Sequence, residues 1–186
     1  MKSQNEILNS PIGITRKWLE DIVIGLNLCP FAKRELDLDR IRIMTTDAKS
    51  ETIILDILKS ELSLLKDNRN IETTLVVFSG AYSDFLEYND FLRVADDLLD
   101  EQELIGVFQF ASFHPAYQFA DTRVDDVTNY TNRSPYPMIH ILREESLDVA
   151  IANYGDTSQI PIRNMDLMNK LGTDHMQTLL SHCIKK

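Results

Sequence analysis

Near the start of the chain, apolar side chains recur every fourth residue: Ile14, Trp18, Ile22 and Leu26. This spacing places them on one face of an amphipathic helix. Ser10 followed by Pro11 is typical of a helix N-terminus, because the N–H that proline lacks would be unpaired there anyway. We predict that this helix ends in a turn at residues 28–32, in which Leu28 and Phe31 are buried.

Through the middle of the chain, strand patterns alternate with helical patterns. Strands are predicted at residues 41–45, 73–79, 107–113 and 138–142. The strand at 73–79 is β-branched and almost continuously apolar, which indicates a central strand covered on both faces. Asp47 is expected to cap the helix that precedes this strand, and Ser83 or Asp84 is expected to cap the helix that follows the strand. The alternation predicts an α/β fold.

This fold is expected to be a single layered domain spanning residues 1–186, with about four strands in a mostly parallel or mixed sheet flanked by helices. The C-terminus is helical. Ser146 is expected to begin a short helix, Gly172 to end a longer one at 160–171, and Thr173 to cap the last. The large side chains predicted to lie in the core are Trp18, Leu28, Phe31, Val76, Phe78 and Phe110.

The composition is that of a globular protein, with 44% hydrophobic and 26% charged residues among 186. No apolar run approaches the roughly 20 residues that a transmembrane helix needs, so we expect no membrane association. The N-terminal residues lack the basic start and apolar stretch of a secretory signal, which predicts a cytoplasmic protein. Cys29 and Cys183 are accordingly expected to be reduced thiols.

The chain is acidic, with 29 acidic against 19 basic residues and a formal net charge of -10. Nucleic-acid-binding proteins normally carry a basic stripe, so this charge argues against a nucleic-acid partner. The acidic residues are densest at 84–103, where eight carboxylates accompany Arg93 alone. Two interpretations stay open for this segment: a solvated helix face, or a surface that binds a basic protein.

The stretch at residues 113–137 combines polar, aromatic and proline residues in a pattern typical of neither a helix nor a strand. His114 lies near its start, at the carboxyl end of the third predicted strand, where open α/β sheets gather ligands. A histidine there can act as a catalytic general acid or base near neutral pH. The alternative is a structural histidine that is hydrogen-bonded to a loop carbonyl.

The same stretch ends in NRSPYP. Asn132 supplies amide donors, Arg133 a planar guanidinium and Ser134 a hydroxyl, while two prolines flank Tyr136 and stiffen the turn. Such donors suit a carboxylate or phosphate, so we predict that these four residues bind a small anionic ligand. The alternative is a loop that Arg133 ties to its own backbone carbonyls.

Other residues with candidate chemistry have structural explanations as well. Cys29 follows a helix, whose terminal carbonyls disfavour a thiolate, so a buried structural thiol is favoured over a nucleophile. Asp121, Asp125 and Asp126 are spaced to share a short helix, where they would bind a cation such as Mg²⁺ or simply complement the helix dipole. No close Cys or His pair predicts a zinc site, and the sequence indicates no particular cofactor.

The direction of the fourth strand decides whether the ends of the stretch meet. An antiparallel strand starts at the edge where His114 lies and brings Arg133 into the same cleft. A parallel strand would need a crossover at residues 121–130, which is short for a connection that must turn twice. We therefore predict the antiparallel arrangement and a mixed sheet. His140, within this strand, is expected to pack in or beside the core.

Four segments resemble a bacterial family known only as a domain of unknown function: LCPFAKR at 28–34, FHP at 113–115, NRSPYP at 132–137 and RN at 163–164. The resemblance covers most of the chain. It implies one intact domain and brings no activity, cofactor or catalytic residue.

The residues themselves leave two functions open. In the first, the chain is a small-molecule enzyme or an anion-recognising domain, in which Asn132 and Arg133 hold the ligand and His114 moves a proton. In the second, it is a non-catalytic interaction module that uses the acidic helix at 84–103 and the rigid loop at 130–137.

Overall fold

In the computed structural model, which describes residues 8–184, a four-stranded sheet carries helices on both faces. The strands are β1 (Ile41–Thr46), β2 (Thr73–Phe78), β3 (Phe108–Phe113) and β4 (Met138–Arg143). The α-helices are α1 (Pro11–Trp18), α2 (Ala32–Asp37), α3 (Glu51–Asp67), α4 (Phe85–Glu101), α5 (Glu144–Tyr154), α6 (Gln159–Leu171) and α7 (Thr173–Ile184). A π-helical segment (Leu19–Ile24) extends α1, and a 3-10 helix lies at Val127–Thr131. The predicted α/β class is confirmed.

The strands lie in the order β1-β2-β4-β3. β1 and β2 are parallel, whereas β4 is antiparallel to both of its neighbours. The first three strands therefore point the same way, and the chain returns from β3 to insert β4 between β2 and β3. The sheet is mixed, as predicted, and β4 starts at the edge where β3 ends.

The helix starts follow the expected capping chemistry at two places. Ser10 accepts a hydrogen bond from the Gly13 amide at 3.2 Å, and Asp84 accepts from the first amides of α4. The prediction that Asp47 caps α3 is wrong, because this helix begins only at Glu51. The chain first passes the end of β2, where the Asp47 carbonyl lies close to Gly80.

One face of the sheet packs against α3 and α4. Both helices bring their apolar stripes onto β2 and β4, with these side chains buried: Ile54, Leu58, Leu62, Leu65, Tyr88, Phe91, Ala95 and Leu98. Val76 and Phe78 are buried beneath them, as predicted. Phe110 was predicted in the core but is only half-buried at the margin of this cluster, because β3 is an edge strand.

The other face packs against α1, its π-helical extension, α6 and α7. Trp18 and Leu28 are buried here, as predicted. Phe31 was also predicted in the core but is half-buried, because it borders a cavity and meets the Tyr154 ring edge-on at 5.4 Å between centroids. Coverage of this face is therefore incomplete.

The remaining connections differ from expectation in detail. α5 begins at Glu144, two residues before Ser146. α6 ends at Gly172 with φ 79°, as predicted. The short helix expected at Asp121 to Asp126 is wrong, because Asp121 adopts φ 64° and only the 3-10 turn that follows is helical. Across residues 8–184, no helix is both long and apolar enough to cross a bilayer.

Candidate functional site

The two ends of the 113–137 stretch meet at the carboxyl edge of β3. The His114 amide donates to the Asn132 carbonyl at 3.2 Å, and Nδ2 of Asn132 donates to the Ser112 carbonyl at 3.1 Å. The predicted closure of the stretch is confirmed, because β4 starts where β3 ends.

The His114 side chain is 1% exposed, and the chain itself uses both ring nitrogens. The Ala116 amide donates to Nδ1 at 2.9 Å, so Nε2 carries the proton and donates to the Tyr82 carbonyl at 2.9 Å. The rings of Phe85 and Tyr88 lie 5.3 and 5.1 Å from the imidazole. Burial lowers the pKa of His114, which favours this neutral form.

The Arg133 guanidinium binds backbone carbonyls of its own loop. Nε donates to Tyr117 at 3.3 Å and Nη2 to Val124 at 2.7 Å, while the cation lies 4.5 Å above the Tyr130 ring. These contacts are the ones expected if Arg133 ties the loop to its own backbone carbonyls.

Its neighbours are also engaged within the chain. Ser134 is fully buried and donates to the Tyr136 carbonyl at 2.7 Å, and Tyr136 is half-buried against the core. The indole N–H of Trp18 donates to the Arg133 carbonyl at 3.1 Å. The ligand-binding role of these loop residues, and the catalytic role of His114, stay predictions.

Asn129 holds the middle of the stretch together. Its Oδ1 accepts from the Phe119 amide at 3.0 Å and from the Thr122 hydroxyl at 2.9 Å, and its Nδ2 donates to the Arg123 carbonyl at 2.8 Å. The residue is fully buried, so these bonds fix the loop from inside.

Two of the three aspartates proposed for a cation, Asp125 and Asp126, have separate contacts. Asp125 pairs with Arg123 at 3.0 Å, and Asp126 caps the 3-10 helix through the Thr128 amide at 2.8 Å. Between residues 8 and 184, no three His, Cys, Asp or Glu side chains form a group able to hold a metal ion.

A cavity of about 900 Å³ lies over the incompletely covered face of the sheet. Its floor is formed by strand residues: Thr73, Leu75, Ala111, Phe113, His140 and Leu142. One wall comes from the end of α1, the π-helical segment and the turn at 28–32, and the other from α5. The lining is mainly apolar, and the volume is within the range of small-molecule sites. None of the predicted site residues borders it.

The LCPFAKR segment builds the first wall, with Cys29, Phe31 and Arg34 among its lining residues. The RN segment fixes this turn from α6. Nη2 of Arg163 donates to the Asn27 carbonyl at 2.6 Å, and Nδ2 of Asn164 donates to the Leu28 carbonyl at 2.8 Å. Two distant segments of the sequence thus position one wall of the cavity.

The second wall, α5, has no buried residue along its whole length. Leu147 and Ala150 are half-buried and border the cavity. Near its ends the helix makes two side-chain contacts: Glu145 pairs with Arg69, and Tyr154 meets Phe31 edge-on. The space between α5 and the sheet is the cavity.

His140 is the histidine of the cavity floor, and its tautomer follows from its neighbours. The Thr73 hydroxyl lies 2.6 Å from Nε2 and 2.5 Å from the Ile141 carbonyl. The carbonyl can only accept, so the single hydroxyl proton goes to it and Nε2–H must be the donor to Thr73. Nδ1 is therefore an acceptor. No group in residues 8–184 donates a hydrogen bond to it.

Residues 11–178 match the family described as "Protein of unknown function (DUF1415)". The chain belongs to this family. No curated protein and no solved structure matches it significantly. In this DUF1415 chain, LCPFAKR forms part of the cavity wall and RN fixes it from behind, whereas FHP and NRSPYP close the loop beyond β3.

The mainly apolar surroundings of the cavity floor hold His140 of the DUF1415 domain in its neutral form. Burial lowers the pKa of this imidazole to about 4, because the surroundings solvate the charged form poorly. At neutral pH the side chain thus offers Nδ1 as a permanent hydrogen-bond acceptor and carries no charge.

Sequence reasoning expected His140 in or beside the core and missed its place in a cavity. The available signal was a histidine on the inward-facing side of an otherwise apolar strand, MIHIL. His140 is half-buried, and its Nδ1, which is unpartnered within residues 8–184, is a polar atom in a mainly apolar lining, which is the usual composition of small-molecule sites.

Proposed function

We propose that the DUF1415 domain binds a small, largely apolar molecule in the cavity over the sheet, and that this molecule donates a hydrogen bond to Nδ1 of His140. The observation that carries the proposal is an acceptor without a partner in residues 8–184, in a mainly apolar cavity of about 900 Å³. Apolar surface supplies affinity at about 25 cal/mol per Å² buried, and a few polar groups supply orientation.

The low pKa of His140 supports binding rather than proton transfer. A general base works best when its pKa lies near the working pH. An imidazole whose pKa is about 4 is a weak base at neutral pH, but it remains a good acceptor for a hydroxyl or N–H group. Ligands that carry such a donor are therefore preferred over ligands that lack one.

The donor preference can be tested with two isomers, 1-octanol and heptyl methyl ether, which have the same atoms but only one of which has an O–H. Calorimetric titration should show octanol binding about two- to tenfold more tightly, as expected for one hydrogen bond. In His140→Phe the ring volume is kept and the acceptor is lost, so the preference should disappear. Equal binding of both isomers to the wild type would refute the role of His140.

The cavity itself can be tested with a matched pair of variants on α5. Ala150 borders the cavity, whereas Ala152 is exposed on the same helix and does not border it. Ala150→Trp should fill the space and abolish octanol binding, and Ala152→Trp should leave it unchanged. Failure of octanol to bind the wild-type protein, or loss of binding in both variants, would contradict the proposal.

The anion site predicted at His114 and Arg133 stays a separate prediction. A ligand there would have to displace the carbonyls of Tyr117 and Val124 from the guanidinium, which lowers the gain on binding. The interaction module predicted for the acidic helix also stays a prediction.

A further inference from the structure

The charged residues that border the cavity lie at one end of it. Arg40 precedes β1 and Glu72 precedes β2, while Arg143 ends β4, which runs the opposite way. These three positions therefore share one edge of the sheet, opposite to the edge where β3 ends. The cavity is amphipathic, with an apolar interior and a charged end.

Part of this charge is internally balanced. Arg40 pairs with both Glu35, at 3.1 Å, and Glu72, and Arg34 lies 2.7 Å from Glu35. Both carboxylate side chains are mostly buried, and the two arginines neutralise their charge. This group contributes no net charge to the cavity.

The second group carries a surplus of positive charge. It consists of Arg69, Arg143 and Glu145, so one arginine has no carboxylate to balance it, in a chain whose net charge is -10. Arg143 is 5% exposed, and no carboxylate of residues 8–184 forms an ion pair with it. A local positive charge in an acidic protein favours an anion at this end.

Arg143 is bound only to neutral groups. Its Nη2 donates to the carbonyls at the end of α3, including Asn68 at 3.1 Å and Ile71 at 3.0 Å. Its buried Nε–H has no hydrogen-bond partner in the described part of the chain. Burial lowers the pKa of Arg143 and the positive charges of Arg69 and Arg40 lower it further, while the carboxylates of Glu72 and Glu145 raise it in part. A negative charge nearby would stabilise this arginine.

Arg69 is the accessible member of the group. Its guanidinium pairs with Glu145 at 3.1 Å, and the two side chains are 71% and 74% exposed. Such an exposed ion pair contributes little to stability, so another carboxylate can replace Glu145 at small cost. Glu145 stands in the first turn of α5, directly at the charged end of the cavity.

We propose that the ligand of the cavity is an amphipathic carboxylate, whose apolar chain lies over the sheet and whose carboxylate binds Arg69 in place of Glu145. This inference rests on the proposed function and names the ligand class of the same cavity. A ligand that complements this cavity has an anionic head group at the exposed, charged end and an apolar body that extends toward Trp18 and Phe113, which border the other end.

Octanoate and 1-octanol separate this inference from the proposed function, because they share the chain and differ in the head group. Arg69→Gln should weaken octanoate binding about three- to tenfold, the loss expected for a charge-assisted contact, and change octanol binding less than about twofold. The matched control is Arg93→Gln, since Arg93 forms a similarly exposed pair with Asp90 at 3.0 Å but does not border the cavity. This control should change neither affinity.

Glu145→Gln removes the competing carboxylate and should tighten octanoate binding, whereas Asp90→Asn should not. Unchanged octanoate affinity in Arg69→Gln, equal losses for both probes, or weaker octanoate binding in Glu145→Gln would overturn the inference. Octanol binding without octanoate binding would overturn it as well and leave the proposed function standing. Absence of binding for both probes would overturn both proposals.

Discussion

Lowering the pH from about 7.5 to about 4 should destabilise the fold through His140. The neutral ring donates to Thr73 and lies in the mainly apolar cavity floor, where its charged form is poorly solvated. The unfolded chain has no such environment, so its histidine takes up a proton near the ordinary pKa of about 6.5. Between these two pKa values, the unfolded state binds a proton that the folded state does not.

The size of the effect follows from the two pKa values. The pKa of His140 falls from about 6.5 in the unfolded chain to about 4 in the fold, and each unit corresponds to about 1.4 kcal/mol. The stabilising contribution of the neutral ring is fully present above about pH 6.5 and is lost as the pH falls toward 4. At about pH 4 the loss amounts to about 3 kcal/mol. For a domain whose free energy of unfolding is typically about 5–15 kcal/mol, this loss is substantial.

The assay is urea unfolding across this pH range in the wild type and in His140→Gln. Glutamine keeps a donor for the Thr73 hydroxyl but does not titrate, so the variant should lose about 3 kcal/mol less than the wild type on acidification. His114, whose pKa burial also lowers, is present in both proteins and cancels in the comparison. Replacement of the exposed His175 by glutamine is the control. Parallel pH profiles for the wild type and His140→Gln would refute the reasoning.

Two further substitutions test the fold. Gly80→Ala should destabilise the fold by more than about 2 kcal/mol in urea unfolding, because the new Cβ would lie 2.2 Å from the Asp47 carbonyl oxygen. The control is Gly106→Ala, where φ is 79° and no atom of residues 8–184 beyond the two chain neighbours lies within 4 Å of the new Cβ. This change should cost only the roughly 1 kcal/mol of left-handed backbone strain. Equal losses would contradict this steric explanation. Asn129→Ala removes three hydrogen bonds and should cost about 3 kcal/mol while speeding tryptic cleavage after Arg123; an unchanged cleavage rate would show that the loop is held elsewhere.

Features that depend on neighbours in the sequence were predictable. The Ser10 and Asp84 caps each use a side chain and amides within three residues, so the local pattern was sufficient. The direction of β4 was also predictable, because the connection from β3 is too short to cross the sheet and turn twice. The prediction of an Asp47 cap was wrong because the chain first passes close to Gly80, so that α3 starts later in the sequence. No local sequence pattern indicates this contact.

The candidate site was less accessible to sequence reasoning. The loop chemistry of His114 and Arg133 was recognised, but whether its polar groups are free or satisfied depends on carbonyls up to 32 residues away. The cavity exists because the helices on one face of the sheet do not cover that face completely. Strand alternation assigns His140 to that face, but it does not show that α5 stands off and leaves the ring uncovered.

Trp18 stands between the two regions of the molecule that carry polar chemistry. Its ring borders the cavity and meets Phe113 edge-on at 5.2 Å, while its N–H holds the Arg133 carbonyl of the NRSPYP loop. It is also the single tryptophan of the chain. Since indole emission responds to the polarity and hydrogen bonding of its surroundings, all tryptophan fluorescence of this protein comes from a ring at the cavity wall. The unlabelled chain thus contains an optical reporter of whatever enters the cavity, and of whether the loop beyond β3 moves in response.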